Sequence, residues 1–148
     1  MLIFDTEAND LLDNATKIYI FGWTTDGENV YTSTDPKEFL EVLGQHDMAG
    51  AHNCYRYDFP LMEKLLGYKY EGLKVDTLWL SWVLFPKRSK HGLDDWGKDV
   101  GIQKVKVDKD QWAEGNYELM KARVTEDVKI NWRLWEKQER LLKELYDG

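Results

Sequence analysis

The chain has 148 residues, 43% hydrophobic and 32% charged, a balance that suits one soluble domain with its own core and gives no sign of disorder. A net charge of −7 argues against a protein that coats duplex DNA through Lys and Arg, yet leaves open an enzyme that grips a strand end through bound cations. No window approaches eighteen apolar residues, and the single cysteine, Cys54, supports neither an internal disulfide nor a metal-binding Cys spacing.

The first apolar run, Leu2-Ile3-Phe4, reads as a short buried strand ending at Asp5; the acids Asp5 and Glu7 break it too early for a signal-peptide core. Lys17 to Thr24 is rich in β-branched and aromatic residues and predicts a second strand. Asp26-Gly27 supplies a hairpin turn, and Asn29 to Ser33 returns as a third strand. Thr34-Asp35-Pro36 opens a helix whose apolar stripe is Phe39, Leu40 and Leu43. Met48 to His52 is a fourth strand, followed by a helix over about 57–66 with Leu61, Leu65 and Leu66 inward. Val75 begins a short segment feeding a helix from Thr77 to Leu84, which Pro86 ends. Leu93, Trp96 and Val100 recur at helical spacing before Gly101. Residues 103–110 read as a charged loop. From Asn116 onward the pattern is helical, with Leu119, Val124, Val128, Trp132, Trp135, Leu142 and Leu145 as core candidates. The order β-β-β-α-β-α-β-α-α-α indicates an α/β domain, a mixed sheet covered by helices, over residues 1–148.

Three acidic segments carry chemistry. Residues two apart on a strand share a face, so Asp5 and Glu7 project side by side. Close like charges raise each other's pKa unless a cation lies between them, and hard carboxylates suit Mg²⁺ or Mn²⁺. Alone, the pair equally fits a solvated strand end. His52-Asn53-Cys54-Tyr55-Arg56-Tyr57-Asp58 places Asp58 in the first turn of a helix, where an acid is favoured for its own sake. Asp127 lies beside the apolar face formed by Val124 and Val128, or on a solvated one with Glu126.

In chain order these segments resemble the Exo I, Exo II and Exo III motifs of DEDD-type 3′→5′ exonucleases, with phage family A polymerase proofreading domains of the short-tailed-phage type the nearest likeness. Asp5-Thr6-Glu7-Ala8-Asn9 with Leu11 matches Exo I, and His52-Asn53 with Tyr57-Asp58 matches Exo II. Asp76-Thr77-Leu78 and Gly92-Leu93-Asp94-Asp95-Trp96-Gly97 agree as well. The resemblance implies a ribonuclease-H-like five-stranded sheet in the order 3-2-1-4-5 with strand 2 antiparallel. It implies that Asp5 bridges two divalent cations, Mg²⁺ or Mn²⁺, that Glu7 and Asp127 ligate the nucleophile-side one, and that Asp58 holds the other. Such a pair, about 3.5–4 Å apart, serves attacking water and leaving 3′-oxygen. Leu11 would wedge against the terminal base and Asn53 would position substrate, with Thr6 and Tyr57 as further contacts. Tyr55, Phe59 and Trp23 are stacking candidates, since single strands bind through splayed bases on aromatic side chains.

One position departs from the family. The residue four before the last Asp is normally Tyr or His, and here it is Arg123, which has no acceptor lone pair and cannot be a general base. Either the metals need no protein base, or Arg123 contacts a phosphate oxygen, or the site is weakened and kept for binding. Retention of all four acids favours an active enzyme. The expectation is a metal-dependent exodeoxyribonuclease on single-stranded DNA 3′ ends, serving replication beside a fused or separately encoded polymerase. It would work in the cytoplasm, the host's if phage-encoded, with no membrane partner. A ribonuclease D-like exoribonuclease and a non-catalytic binding module are the alternatives.

Overall fold

Side-chain alternation along the first strand decides how the molecule divides. In β1 (Leu2–Ala8), Leu2, Phe4 and Ala8 join the larger core, while Asp5 and Glu7 turn to the opposite face. The structure is a computed structural model that describes residues 1–102 and 116–147. After β1 come β2 (Ile18–Thr24), β3 (Tyr31–Ser33), α1 (Pro36–Gly44), β4 (Met48–Ala51), α2 (Asp58–Leu66), β5 (Leu73–Asp76), α3 (Thr77–Leu84), α4 (Leu93–Val100) and α5 (Tyr117–Asp147). The strands form one sheet in the order β3-β2-β1-β4-β5, with β2 antiparallel to its neighbours and β4 and β5 parallel to β1.

Helices cover both faces. Phe39 and Leu43 of α1 and Phe59, Leu61 and Met62 of α2 pack with Leu2, Phe4, Phe21 and Trp23. Phe21 and Phe39 stack with ring centroids 4.6 Å apart. On the other face Met120, Val124 and Val128 of α5 pack on Ile20, and further along α5 Ile130 and Leu134 pack on Trp96 of α4. The helix ends follow local rules: Asp35 caps α1 by accepting from the Lys37 N–H, and Asp76 caps α3 from Leu78 and Trp79. Gly67 and Gly101 close α2 and α4 in the left-handed conformation.

The element order matches the sequence reading, and the differences are local. β1 runs on to Ala8, because its pairing with β2 continues through Glu7 opposite Ile20. β3 starts at Tyr31 rather than Asn29, since Asp26 draws the backbone N–H groups of Glu28 and Asn29 into a loop. The segment at Val75 is a strand paired with β4. The predicted loop over 103–110 lies outside the described residues. On α5, Leu145 is exposed and Leu119, Trp132 and Leu142 are only partly covered; Met120, Ile130, Leu134 and Gln138 take the buried face instead.

Candidate active site

Asp5 and Glu7 stand on the α5 side of β1, and α5 lies close enough to meet them. Asp5 is opposite Gly22 in the β1–β2 register, and a Cβ on Gly22 would fall inside the Val124 side chain. Glycine therefore lets α5 seat directly on β2, which carries Asp127, one turn on from Val124, to the strand acids. Carboxylate oxygens of Asp5, Glu7 and Asp127 all lie within 4.8 Å of one another.

That arrangement is electrostatically costly without a counter-ion. Burial raises the Asp5 pKa well above the usual carboxylate range, and the charges of Glu7, Asp127 and Asp58 push it further. Asp5 Oδ2 is buried with no hydrogen-bond partner among the described residues. A buried oxygen without a partner, in a ring of acids, fits a divalent cation with hard oxygen ligands.

Asp58 stands beside this group rather than within it. β4 pairs with β1 only at Leu2 and Ile3, so the edge of β1 beyond them is open on that side. Asp58 closes it, accepting from the Thr6 hydroxyl at 2.5 Å and from the Thr6 backbone N–H. Burial pushes its pKa up to about 7, against the pull of Thr6 and with the charge of Asp76 adding to the rise. Thr6, expected at the substrate, is instead 3% exposed and sits behind the acids, because the odd step along the strand turns it to the other face.

The remaining residues divide between the rim and the core. Leu11 is 75% exposed on the β1–β2 connection, which Asn9 staples by accepting from the Thr16 and Lys17 N–H groups. Lys64 of α2 fastens the same connection through the carbonyls of Leu12 and Asp13. Tyr57 is half-buried, donates to the Asp10 carbonyl, and has its pKa raised by burial and then by Asp58, Glu7 and Asp5, which places it at the edge of the acids. Asn53 adopts φ +66°, in the left-handed region that Asn tolerates, and its Oδ1 is buried with no partner among the described residues. Arg123, four residues before Asp127, shares its helix face and is half-buried. Of the stacking candidates, Phe59 and Trp23 belong to the core, whereas Tyr55 is exposed.

Two residues quoted among the matching segments have organising roles that the sequence did not show. Asp76 accepts from the Asn53 and Tyr55 N–H groups while capping α3, so it shapes the whole turn before Asp58. Its signal was an Asp-Thr pair ahead of an apolar run, which marks a helix start but not its long-range partners. His52 is the other. Its Nε2 faces the His91 carbonyl at 2.7 Å and must donate, so its Nδ1 accepts from the Thr77 hydroxyl, which accepts from Asn131 one turn beyond Asp127. His91 is half-buried between Ser81 and the Arg88 carbonyl. The chain of bonds ties β4, α3 and α5 together behind the acids.

No family model and no curated protein matches the sequence. Solved structures do match its fold. The family B DNA polymerase from the hyperthermophilic archaeon Pyrobaculum calidifontis covers 92% of the chain with a TM-score of 0.71 and 17% identity, the chain spanning 24% of that polymerase. Brucella melitensis NrnC bound to pGG covers 97% with a TM-score of 0.76 and 17% identity, and NrnC with bound Mg²⁺ covers 97% with 0.71 and 16%. The chain spans 73% of either NrnC structure. The fold is thus the ribonuclease-H-like sheet and helix arrangement that the resemblance implied. Among the described residues no helix is long and apolar enough to cross a membrane.

Proposed function

We propose that the chain is one metal-dependent 3′→5′ exonuclease domain over residues 1–148, hydrolysing phosphodiester bonds at single-stranded DNA 3′ ends. The observation that carries this reading is the meeting of Asp5, Glu7 and Asp127 within 4.8 Å, with a buried, unpartnered Asp5 oxygen among them. In this reading Asp5, Glu7 and Asp127 hold one divalent cation, and Asp5 with Asp58 holds a second, partly through water. Mg²⁺ or Mn²⁺ there supplies Lewis acidity at the attacking water and the leaving 3′-oxygen.

The chain's own groups do the rest. Leu11 wedges against the terminal base, Tyr57 lines the pocket beside the acids, and Asn53 helps to position the strand end, its buried Oδ1 having no partner among the described residues. Arg123 has no lone pair to take a proton, so its part is a fixed positive charge at a phosphate oxygen. Support for work beside a DNA polymerase, of phage family A type as the motifs suggest, is the fold match to about a quarter of the Pyrobaculum polymerase.

The test is a 5′-labelled single strand offered as DNA and as RNA, with Mg²⁺, with Mn²⁺ and with chelator. The expected result is a metal-dependent ladder shortening from the 3′ end, faster on DNA and absent in Asp5→Ala. Cleavage that persists in Asp5→Ala, or internal cuts, would refute the assignment.

A further inference from the structure

Helix α3 is built inside out. Its sequence, Thr77-Leu78-Trp79-Leu80-Ser81-Trp82-Val83-Leu84, is apolar apart from Thr77 and Ser81, yet those two hydroxyl residues are its fully buried ones. Thr77 is held by His52 and Asn131, and Ser81 accepts from Trp96 Nε1 and donates to His91. The polar anchors fix the helix rotation and turn Trp79, Trp82 and Val83 outward, at 38%, 42% and 73% exposure. A helix apolar all round is ordinarily covered, so this face is made to meet something.

The neighbourhood indicates what. Tyr55, three residues before Asp58, lies edge-on to Trp79 at 5.2 Å, and Trp82 follows at 6.1 Å, which makes a ladder of exposed rings starting in the turn that leads into Asp58. Tyr55 is rigidly placed, its N–H on Asp76 and its hydroxyl on the Lys74 carbonyl. The Arg56 guanidinium lies over Trp79 at 5.5 Å. At the far end of α3 a cavity of about 370 Å³ is lined by Phe85, Pro86, Lys87, Arg88, Trp96 and Lys137. Arg88 covers the Trp96 ring at 3.7 Å, and Lys137 lies 5.4 Å from the Phe85 and Trp96 rings. Between Asp76 and Asp94 the sequence has no acid and three cations, of which Arg88 is ion-paired with Asp99 while Lys87 and Lys90 add local positive charge on a chain of net charge −7. Open ring faces with local positive charge suit a polyanion carrying flat apolar groups better than a protein surface.

We propose that Tyr55, Trp79 and Trp82, with Arg56 and the basic pocket beyond, form a stacking track for the single strand upstream of the scissile bond. This inference rests on the nuclease reading for the strand's direction, with the 3′ end at the acids and the 5′ portion along α3. The experiment measures binding of fluorescent oligo(dT) of four and of twelve nucleotides to the full chain in chelator, where no hydrolysis is needed, and KM and kcat for both in Mg²⁺. The Trp79→Ser/Trp82→Ser variant should lose about tenfold or more in affinity and KM for the twelve-mer. It should keep the four-mer constants and kcat. Lys137→Gln should weaken the twelve-mer alone and steepen no salt dependence. Unchanged twelve-mer binding in the Trp variant overturns the track. So does unchanged binding with a loss of dimer in sedimentation, which would make the face a contact between copies. Length-dependent binding lost in the variant, with no cleavage by the parent chain in any metal, would uphold the track and sink the nuclease reading instead.

Discussion

Asp58 shows how a single acid can register the state of the site. Two hydrogen bonds from Thr6 favour its charged form, yet burial still pushes its pKa up to about 7 from 3.8. A carboxyl whose folded pKa is raised holds its proton more tightly when folded, so ionising it costs stability. The cost is absent below about pH 4, grows through the interval to pH 7, and is complete above it. In metal-free buffer Asp58→Asn, which can still accept from Thr6, should therefore raise the Tm at pH 8. The gain should fade as the pH falls to 4; a constant gain across that range would contradict this account of the acid. Arg123 makes the second residue-scale claim. If its charge stabilises the reacting phosphate, Arg123→Met should lower kcat by about 10²–10³-fold with little change in Tm. An unchanged kcat would show that the position is only helix surface. Asp5, Glu7 and Asp127 were singled out through the resemblance of the three acidic segments, since strand period and helix spacing alone left each of them readable as a solvated acid. The roles of Thr6, Asp76 and His52 were not legible, because each depends on a partner 20 or more residues away in sequence, such as Asp58 for Thr6 and Thr77 for His52.

Among the elements, β1 supplies two of the three clustered acids and α5 the third, and Gly22 decides how near α5 comes. A methyl group at Gly22 has no space beside Val124, so Gly22→Ala should cost about 1–3 kcal/mol of stability and move Asp127 off the strand acids. Denaturant melts should show the loss, and kcat should fall more than KM rises; full activity at lowered stability would mean that α5 adjusts without moving the acid. Thr77→Val tests the tie between α3 and α5. It leaves Asn131 and His52 without their shared hydroxyl, at a cost of about 1–3 kcal/mol. Helix limits such as those of α3 and α4 were readable from caps, proline and glycine. Which face of α3 is buried was not, since its two hydroxyl residues read as incidental in an apolar run and prove to be its anchors.

For the whole molecule, the sheet order was reached through the resemblance of five segments and not through periodicity, because strand order is set by contacts across the chain. The acidic balance takes on meaning at the same scale. A net charge of −7 with three acids gathered in one group is tolerable if cations complete the fold's active face. A ligand that binds only the folded state stabilises it in proportion to the logarithm of its concentration over Kd. The most direct measurement is a Mn²⁺ titration of the full chain, by calorimetry and by Tm, against Asp127→Ala. Saturable binding with a rising Tm is expected in the parent chain, abolished by chelator and weakened about tenfold or more in the variant. An identical response in both proteins would show that Asp5, Glu7 and Asp127 are not a metal centre.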